Sequence, residues 1–199
     1  MLRYAKSLTL ATAMGVSLLA MVGSARADII PTLKTVTPSG SDFRWTYQAN
    51  LTVDEKVKKY NFFTIYDFVG FIPGSNMQPA NWVFSSALHG KTPSKVLPDD
   101  DPKIPNLTWK YTGNTVLGPG TLNLGLFSAL SHYGNQAMDD FAAEATKYAP
   151  GEVGNNKPID NVGSVGVPTS AVPEPCSLAL LGLGAAPLLA RRRRARSQA

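Results

Sequence analysis

Phe43-Arg44-Trp45-Thr46-Tyr47-Gln48-Ala49-Asn50-Leu51-Thr52-Val53 places Phe43, Trp45, Tyr47, Ala49, Leu51 and Val53 on one side of an extended chain. Arg44, Thr46, Gln48, Asn50 and Thr52 fall on the other. Alternation with period two, large apolar against polar, marks a half-buried β-strand, because successive strand side chains point to opposite faces. Outward from this stretch the same signal recurs. Asp54-Glu55-Lys56 reads as the turn that follows. Tyr60-Asn61-Phe62-Phe63-Thr64-Ile65-Tyr66-Asp67-Phe68-Val69-Gly70-Phe71-Ile72, closed by Pro73-Gly74, is almost continuously aromatic and β-branched. That composition predicts a central strand covered on both faces.

Pro79-Ala80-Asn81 leads into the short predicted strand Trp82-Val83-Phe84-Ser85-Ser86-Ala87. Residues 90–105 hold Pro93, Pro98, Pro102 and Pro105, which forbid a regular ladder, so a long irregular connection is expected there. Strand pattern resumes at Asn106-Leu107-Thr108-Trp109-Lys110-Tyr111-Thr112, with Leu107, Trp109 and Tyr111 inward. After the Gly118-Pro119-Gly120 turn, residues 121–131 read as a strand with Leu122, Leu124, Leu126 and Ser128 on one face, opposite Asn123, Gly125 and Phe127. Residues 137–148 fit a helical spacing through Met138, Phe141, Ala145 and Tyr148, yet also alternate. An all-β domain needs a partner strand there, so a strand is expected. Residues 151–157 form a loop, Val162 and Ser164 to Val167 supply a last strand, and Thr169-Ser170-Ala171 is a tether. Seven or eight strands with turn signals about every ten residues predict an all-β fold, an antiparallel β-sandwich ectodomain.

The flanks differ in kind. Residues 1–27 have the three parts of a secretory signal peptide: Arg3 and Lys6, an apolar run over 8–22, and an Ala25-Arg26-Ala27 cleavage site that makes Asp28 the first mature residue. Export by the Sec translocon and cleavage by signal peptidase follow as expectations. The formal charge of +5 is misleading, because eight of the 19 cations lie in the two end segments. Between Asp28 and Glu174 there remain 11 cations against 14 acids, a net of −3. Nucleic-acid binding needs clustered Lys and Arg on the working domain, so that class is excluded. The single cysteine, Cys176, excludes an intrachain disulfide and cysteine-based zinc motifs. Residues 28–171 are the length of one domain and bury a sizeable core unaided.

At the other end come Val172-Pro173-Glu174-Pro175-Cys176, an uncharged run over 177–190, and Arg191-Arg192-Arg193-Arg194-Ala195-Arg196. Two prolines fix an extended hinge. The run of 14 residues, with Gly182, Gly184 and Pro187 inside, is shorter than the roughly 17–25 residues of an ordinary bilayer span. Arg191, Arg192, Arg193, Arg194 and Arg196 act as a cytoplasmic stop. Motif, apolar segment and arginine cluster in this order resemble the PEP-CTERM sorting signal of Gram-negative bacteria. The resemblance covers residues 172–199, and implies a short C-terminal transmembrane helix and processing by exosortase at Pro173, Glu174 and Pro175. The stretches around Phe62, Trp82 and Trp109 also look like ectodomains of other PEP-CTERM proteins. Family context further implies a cell-surface or matrix location among exopolysaccharide-producing, biofilm- or floc-forming cells.

Chemistry-bearing residues in the ectodomain are sparse. Ser131 adjoins His132, but neighbours on a strand diverge, and no third group or Gly-x-Ser-x-Gly elbow accompanies them. The other histidine is His89. A hydrolase would draw two carboxylates from Asp67, Glu55, Asp139, Asp140 and Glu144, with Asp67 the most conspicuous inside an aromatic stretch. Asp99-Asp100-Asp101 offers hard oxygens but lacks the alternating spacing of a calcium loop, so it reads as a solvated acidic loop with no metal. Among Trp45, Tyr47, Trp82, Trp109 and Tyr111, Trp82 is the candidate glycan contact and the rest belong to core faces. The triplets Asn50-Leu51-Thr52 and Asn106-Leu107-Thr108 match a glycosylation pattern by chance. No catalytic residues and no cofactor are assigned. The expectation is a non-enzymatic exported protein with a structural or adhesive role, against a carbohydrate-binding module or a secreted hydrolase.

Overall fold

The computed structural model describes residues 28–117 and 120–170. The signal segment with Ala25 and Ala27, and the sorting segment from Pro173, Glu174 and Pro175 to Arg191–Arg194 and Arg196, lie outside the described residues. Within them the chain is all-β, with antiparallel pairing throughout. Ten strands follow in order: β1 (Ile29–Ser39), β2 (Asp42–Leu51), β3 (Glu55–Val57), β4 (Phe62–Ile65), β5 (Trp82–Ala87), β6 (Asn106–Tyr111), β7 (Val116–Leu117), β8 (Leu122–Ser131), β9 (Asn135–Lys147) and β10 (Pro158–Thr169).

Two sheets divide these strands. The smaller runs β1-β2-β8, and the larger runs β5-β6-β4-β9-β3-β7 with β10 also paired to β9. β9 organises the larger sheet. One edge pairs with β10 from Asn135↔Thr169 to Thr146↔Pro158. The other edge is shared between β4, opposite Phe141 to Glu144, and β3, opposite Thr146 and Lys147. The helical spacing at 137–148 therefore gives way to strand. The residues fit a helical spacing and an alternation alike, and pairing partners on both edges decide for the expected strand.

The alternating stretch at 43–53 forms β2, the middle strand of the small sheet, and Trp45, Tyr47, Ala49 and Leu51 are fully buried. Its partner faces contribute Ile29 and Phe127, and the larger sheet returns Phe63, Ile65, Leu107 and Trp109. Each such side chain is worth about 1.5–3 kcal/mol when wholly buried. Aromatic rings tie the sheets together. Phe127 of the small sheet meets Phe63 at 4.9 Å, Trp82 at 5.0 Å and Trp109 at 5.7 Å, all edge-on. The Tyr47 hydroxyl crosses to donate to the Gly166 carbonyl at 2.9 Å. Two antiparallel faces closed on one aromatic core make a sandwich-like arrangement.

Three expectations change and one strand is added. The stretch 60–72 forms a strand only over β4; from Asp67, at φ 51°, the backbone leaves the ladder. It then runs beside the free edge of β8, where Ile72 N donates to Leu130 O and Met77 and Ser128 exchange backbone bonds. Glu55 and Lys56 are not a turn but the buried strand β3. β1 lies in a stretch for which no element is expected; it keeps Pro31 and Pro38 because it occupies an edge, where a missing N–H is tolerated. In β8 one residue is inserted between the pairs Ala49↔Gly125 and Asn50↔Asn123. That bulge turns Phe127 to the core and leaves Leu126 exposed, contrary to the uniform Leu face expected of 121–131.

Candidate functional site

The richest cluster of ionisable groups gathers where the chain leaves β4 and where the proline-rich connection returns to β6. Asn106 opens β6 and is fully buried. Its Oδ1 accepts from Asp67 N at 2.8 Å, while its Nδ2 donates to Asp100 Oδ1 at 2.7 Å and to Leu88 O at 3.2 Å. One amide side chain thus ties both ends of the β5–β6 connection to the segment that leaves β4. Asp67 in turn accepts from Asp101 N, at 3.1 Å to each carboxylate oxygen. Asp99 N donates to Asp140 Oδ2 at 2.9 Å, fixing the same loop to β9. Phe68 N to Pro105 O and Tyr66 N to Asp140 O, each 3.0 Å, complete the seam.

This arrangement gathers Asp67, Asp99, Asp100, Asp101, Asp139 and Asp140. Burial pushes the Asp67 carboxyl up to about 6; the Asp101 amide opposes this, and Asp139, Asp100 and Asp101 add to it. Burial, then Asp140, Asp99 and Asp100, also raise Asp139, against the bond from Asp140 N. Amide N–H groups, of the backbone and of the Asn106 side chain, supply the hydrogen bonds to these acids. His89 Nδ1 approaches Asp100 Oδ2 only to 3.9 Å and is largely exposed. Among the described residues no group of three or more His, Cys, Asp or Glu is disposed to hold a metal ion. Asp99, Asp100 and Asp101 are individually engaged in loop bonds, Asp101 Oδ1 accepting from Lys103 N at 2.9 Å. The chemistry on offer is a proton held near pH 6 and a fixed connection. Asp67, one conspicuous acid of the hydrolase reading, is occupied as a loop anchor.

The other candidates separate. Trp82 is corrected: only 6% of it is exposed, and it packs on Tyr111 at 5.2 Å and Phe63 at 5.8 Å, so its ring face is not offered to a sugar. Trp109 and Tyr111 are buried with it. The reason is local: Trp82 starts β5 and pairs with Tyr111, which aims its side chain inward. Ser131 Oγ donates to Val69 O at 2.7 Å and accepts from Tyr133 N, whereas His132 Nδ1 lies 2.7 Å from Asp42 Oδ1; the pair diverges. Asn106 is a buried clamp within its glycosylation triplet. A surface pocket of about 320 Å³ is lined by Asp54, Lys147, Tyr148, Ala149, Pro150 and Glu152, with Lys147 and Glu152 paired at 3.6 Å.

Sequence reasoning missed a second acidic site. Asp28 and Glu55 are both fully buried, at the start of β1 and in β3. In the sequence Asp28 stands out only as the first residue after the Ala-Arg-Ala junction, and Glu55 only as a turn residue and one of five candidate hydrolase acids. Set against known proteins, the chain matches no family model and no curated protein.

Proposed function

We propose that the chain is an exported, non-enzymatic surface or matrix protein in which the β-sandwich of residues 28–171 is cargo and residues 172–199 are its sorting address. The order of Pro173-Glu174-Pro175, the uncharged run 177–190 and the arginines at 191–194 and 196 carries this reading. On it, the Sec translocon and signal peptidase deliver the domain outward. A short transmembrane helix then holds it at the inner membrane of a Gram-negative cell, and exosortase acts at the hinge. Glu174, between two prolines of fixed φ, presents one anionic group in a rigid extended setting. The domain supports the scheme in two ways. Its aromatic core is closed between its own two sheets, with the tail contributing no member of that cluster of described residues. β10 ends at Thr169, three residues before Val172, so the hinge begins directly after the last ladder. A structural or adhesive role in an exopolysaccharide matrix fits a stable cargo whose conspicuous polar groups serve its own loops.

The test is intact mass of the protein exported by its native host, wild type against Glu174→Ala. Loss of residues 1–27 and of the tail beyond the hinge, with tail loss blocked by the substitution, is the expected result. A mature protein that retains Arg191 to Arg194 would overturn sorting and leave a plain anchor.

A further inference from the structure

Where β1 begins, carboxylates are enclosed with no cation paired to them among the described residues. Asp28 Oδ1 accepts from Ile29 N at 2.6 Å, but Oδ2 is buried with no partner. Both carboxylate oxygens of Glu55 are buried and unpartnered. Thr52 is tied to Asp28: its hydroxyl accepts from Asp28 N at 2.7 Å and donates to Asp28 O at 3.3 Å, and its backbone N also reaches Asp28 O at 3.2 Å. The hydroxyl sits close enough to Glu55 to favour its charged form somewhat, yet gives it no hydrogen bond of normal geometry.

The surroundings add acids. Glu55, Asp160 and Glu144 all raise Asp28 further, and Asp54 raises Glu55. Asp160 Oδ1 is itself buried and unpartnered. The nearby cations are committed elsewhere: Lys91 and Lys95 act on Glu144, and Lys56 bonds Asn156 Oδ1 and lies over the Tyr148 ring. Burial, the largest cause in both, pushes Asp28 up to about 9 and Glu55 up to about 8. A buried carboxylate lacking a partner is costly, so both acids hold protons while Asp28 N is an amide.

We propose that this acidic site, built from Thr52, Glu55 and the Asp28 side chain, receives the α-ammonium group that removal of the signal peptide creates at Asp28. The proposal rests on the cleavage reading after Ala27. Hydrolysis breaks the Ala27–Asp28 peptide bond; the water's hydroxyl goes to the Ala27 carbonyl carbon and its hydrogen to Asp28 N. The amine then takes the proton that the buried acids hold, giving an ammonium beside a carboxylate with no net charge added to the site. An ammonium brings three donors. Thr52 Oγ1 already accepts along one direction, and two remain for the acid pair, one member of which is now a carboxylate while the other keeps its proton. A buried ion pair is favourable only when further hydrogen bonds complete it, and Thr52 supplies that bond and fixes the nitrogen. Processing then changes the domain itself: the precursor carries an uncompensated acid pair, and the mature form a closed ion pair.

The experiment exports the full chain from its host in three forms: wild type, Glu55→Gln, and a variant with one alanine inserted after Ala27. The insertion moves the ammonium along the chain by about 3.5 Å without removing it. Mature forms are identified by intact mass, the α-amine is titrated by NMR, and thermal midpoints are recorded at pH 7. In the wild type the α-amine titrates at least one unit above its usual range of about 7.7–8.0. In the insertion variant and Glu55→Gln it returns to that range, and the insertion variant melts at least 5 °C lower. An ordinary α-amine titration in the wild type, or an insertion variant of equal midpoint, overturns the proposal. So does a mature chain that starts at a residue other than Asp28, whatever becomes of the tail. Failure of Glu55→Gln to accumulate leaves the insertion variant to decide. The sorting reading fails separately, by retention of the arginines.

Discussion

Trp82→Ala separates a structural indole from a ligand-facing one. Trp82 opens edge strand β5 and is 6% exposed, with Phe127 at 5.0 Å, Tyr111 at 5.2 Å and Phe63 at 5.8 Å. Burying about 200 Å² of ring at about 25 cal/mol per Å² gives ~5 kcal/mol as an upper figure. An edge strand lets neighbours relax into part of the void, which brings the expected loss to about 3–5 kcal/mol. For a domain of this size that lowers the thermal midpoint by roughly 10–20 °C. The control is Val83→Ala on the same strand, whose side chain faces solvent and whose cost stays within about 0.5–1 kcal/mol. Urea unfolding followed by far-UV circular dichroism reads both, with the slope m checked for constancy. A Trp82→Ala loss below ~1 kcal/mol, together with loss of binding to host exopolysaccharide, would refute the inward placement.

Other consequences are open to direct measurement. Asn106→Ala frees Leu88 and Asp100 of the β5–β6 connection and the backbone at Asp67; it should cost about 2–3 kcal/mol, since buried partners are left unsatisfied, and limited proteolysis should cut first within residues 88–105. Gly125 sits at φ 112° with a Cβ position 2.5 Å from Pro79 Cγ, so Gly125→Ala should lose about 1–3 kcal/mol in denaturant titration; a neutral result would deny the bulge. Asp67 holds its proton up to about 6 when folded, against 3.8 ordinarily. Between those values the folded state binds more protons than the unfolded, so this group's contribution is complete below about pH 4 and lost as pH rises towards 6. Asp67→Asn, which keeps an acceptor and suits a left-handed backbone, should therefore gain stability relative to wild type from pH 4.5 to pH 7; a difference independent of pH would show Asp67 to be unperturbed.

The sequence alone determined the all-β class. Trp45, Tyr47, Ala49 and Leu51 alternate too regularly to form anything but a half-buried strand, and their burial follows from side-chain geometry within one segment. The same holds for β5 and β6, whose alternation and flanking turn residues are local signals. Tertiary structure decided what depends on a partner. β9 is a strand because β10, β4 and β3 hydrogen-bond to it, where its own spacing allowed a helix. β1 keeps two prolines because it lies at an edge. One inserted residue in β8 reverses which side faces the core, so Phe127, not Leu126, becomes the central ring. The acidic sites follow the same division. Asp67 was conspicuous as a carboxyl in an aromatic run, but the Asp101 amide and Asn106 that hold it lie more than thirty residues away. Glu55 reads as a turn residue beside Asp54 and Lys56; it is buried because β7 and β9 close over β3, a pairing that no local pattern encodes.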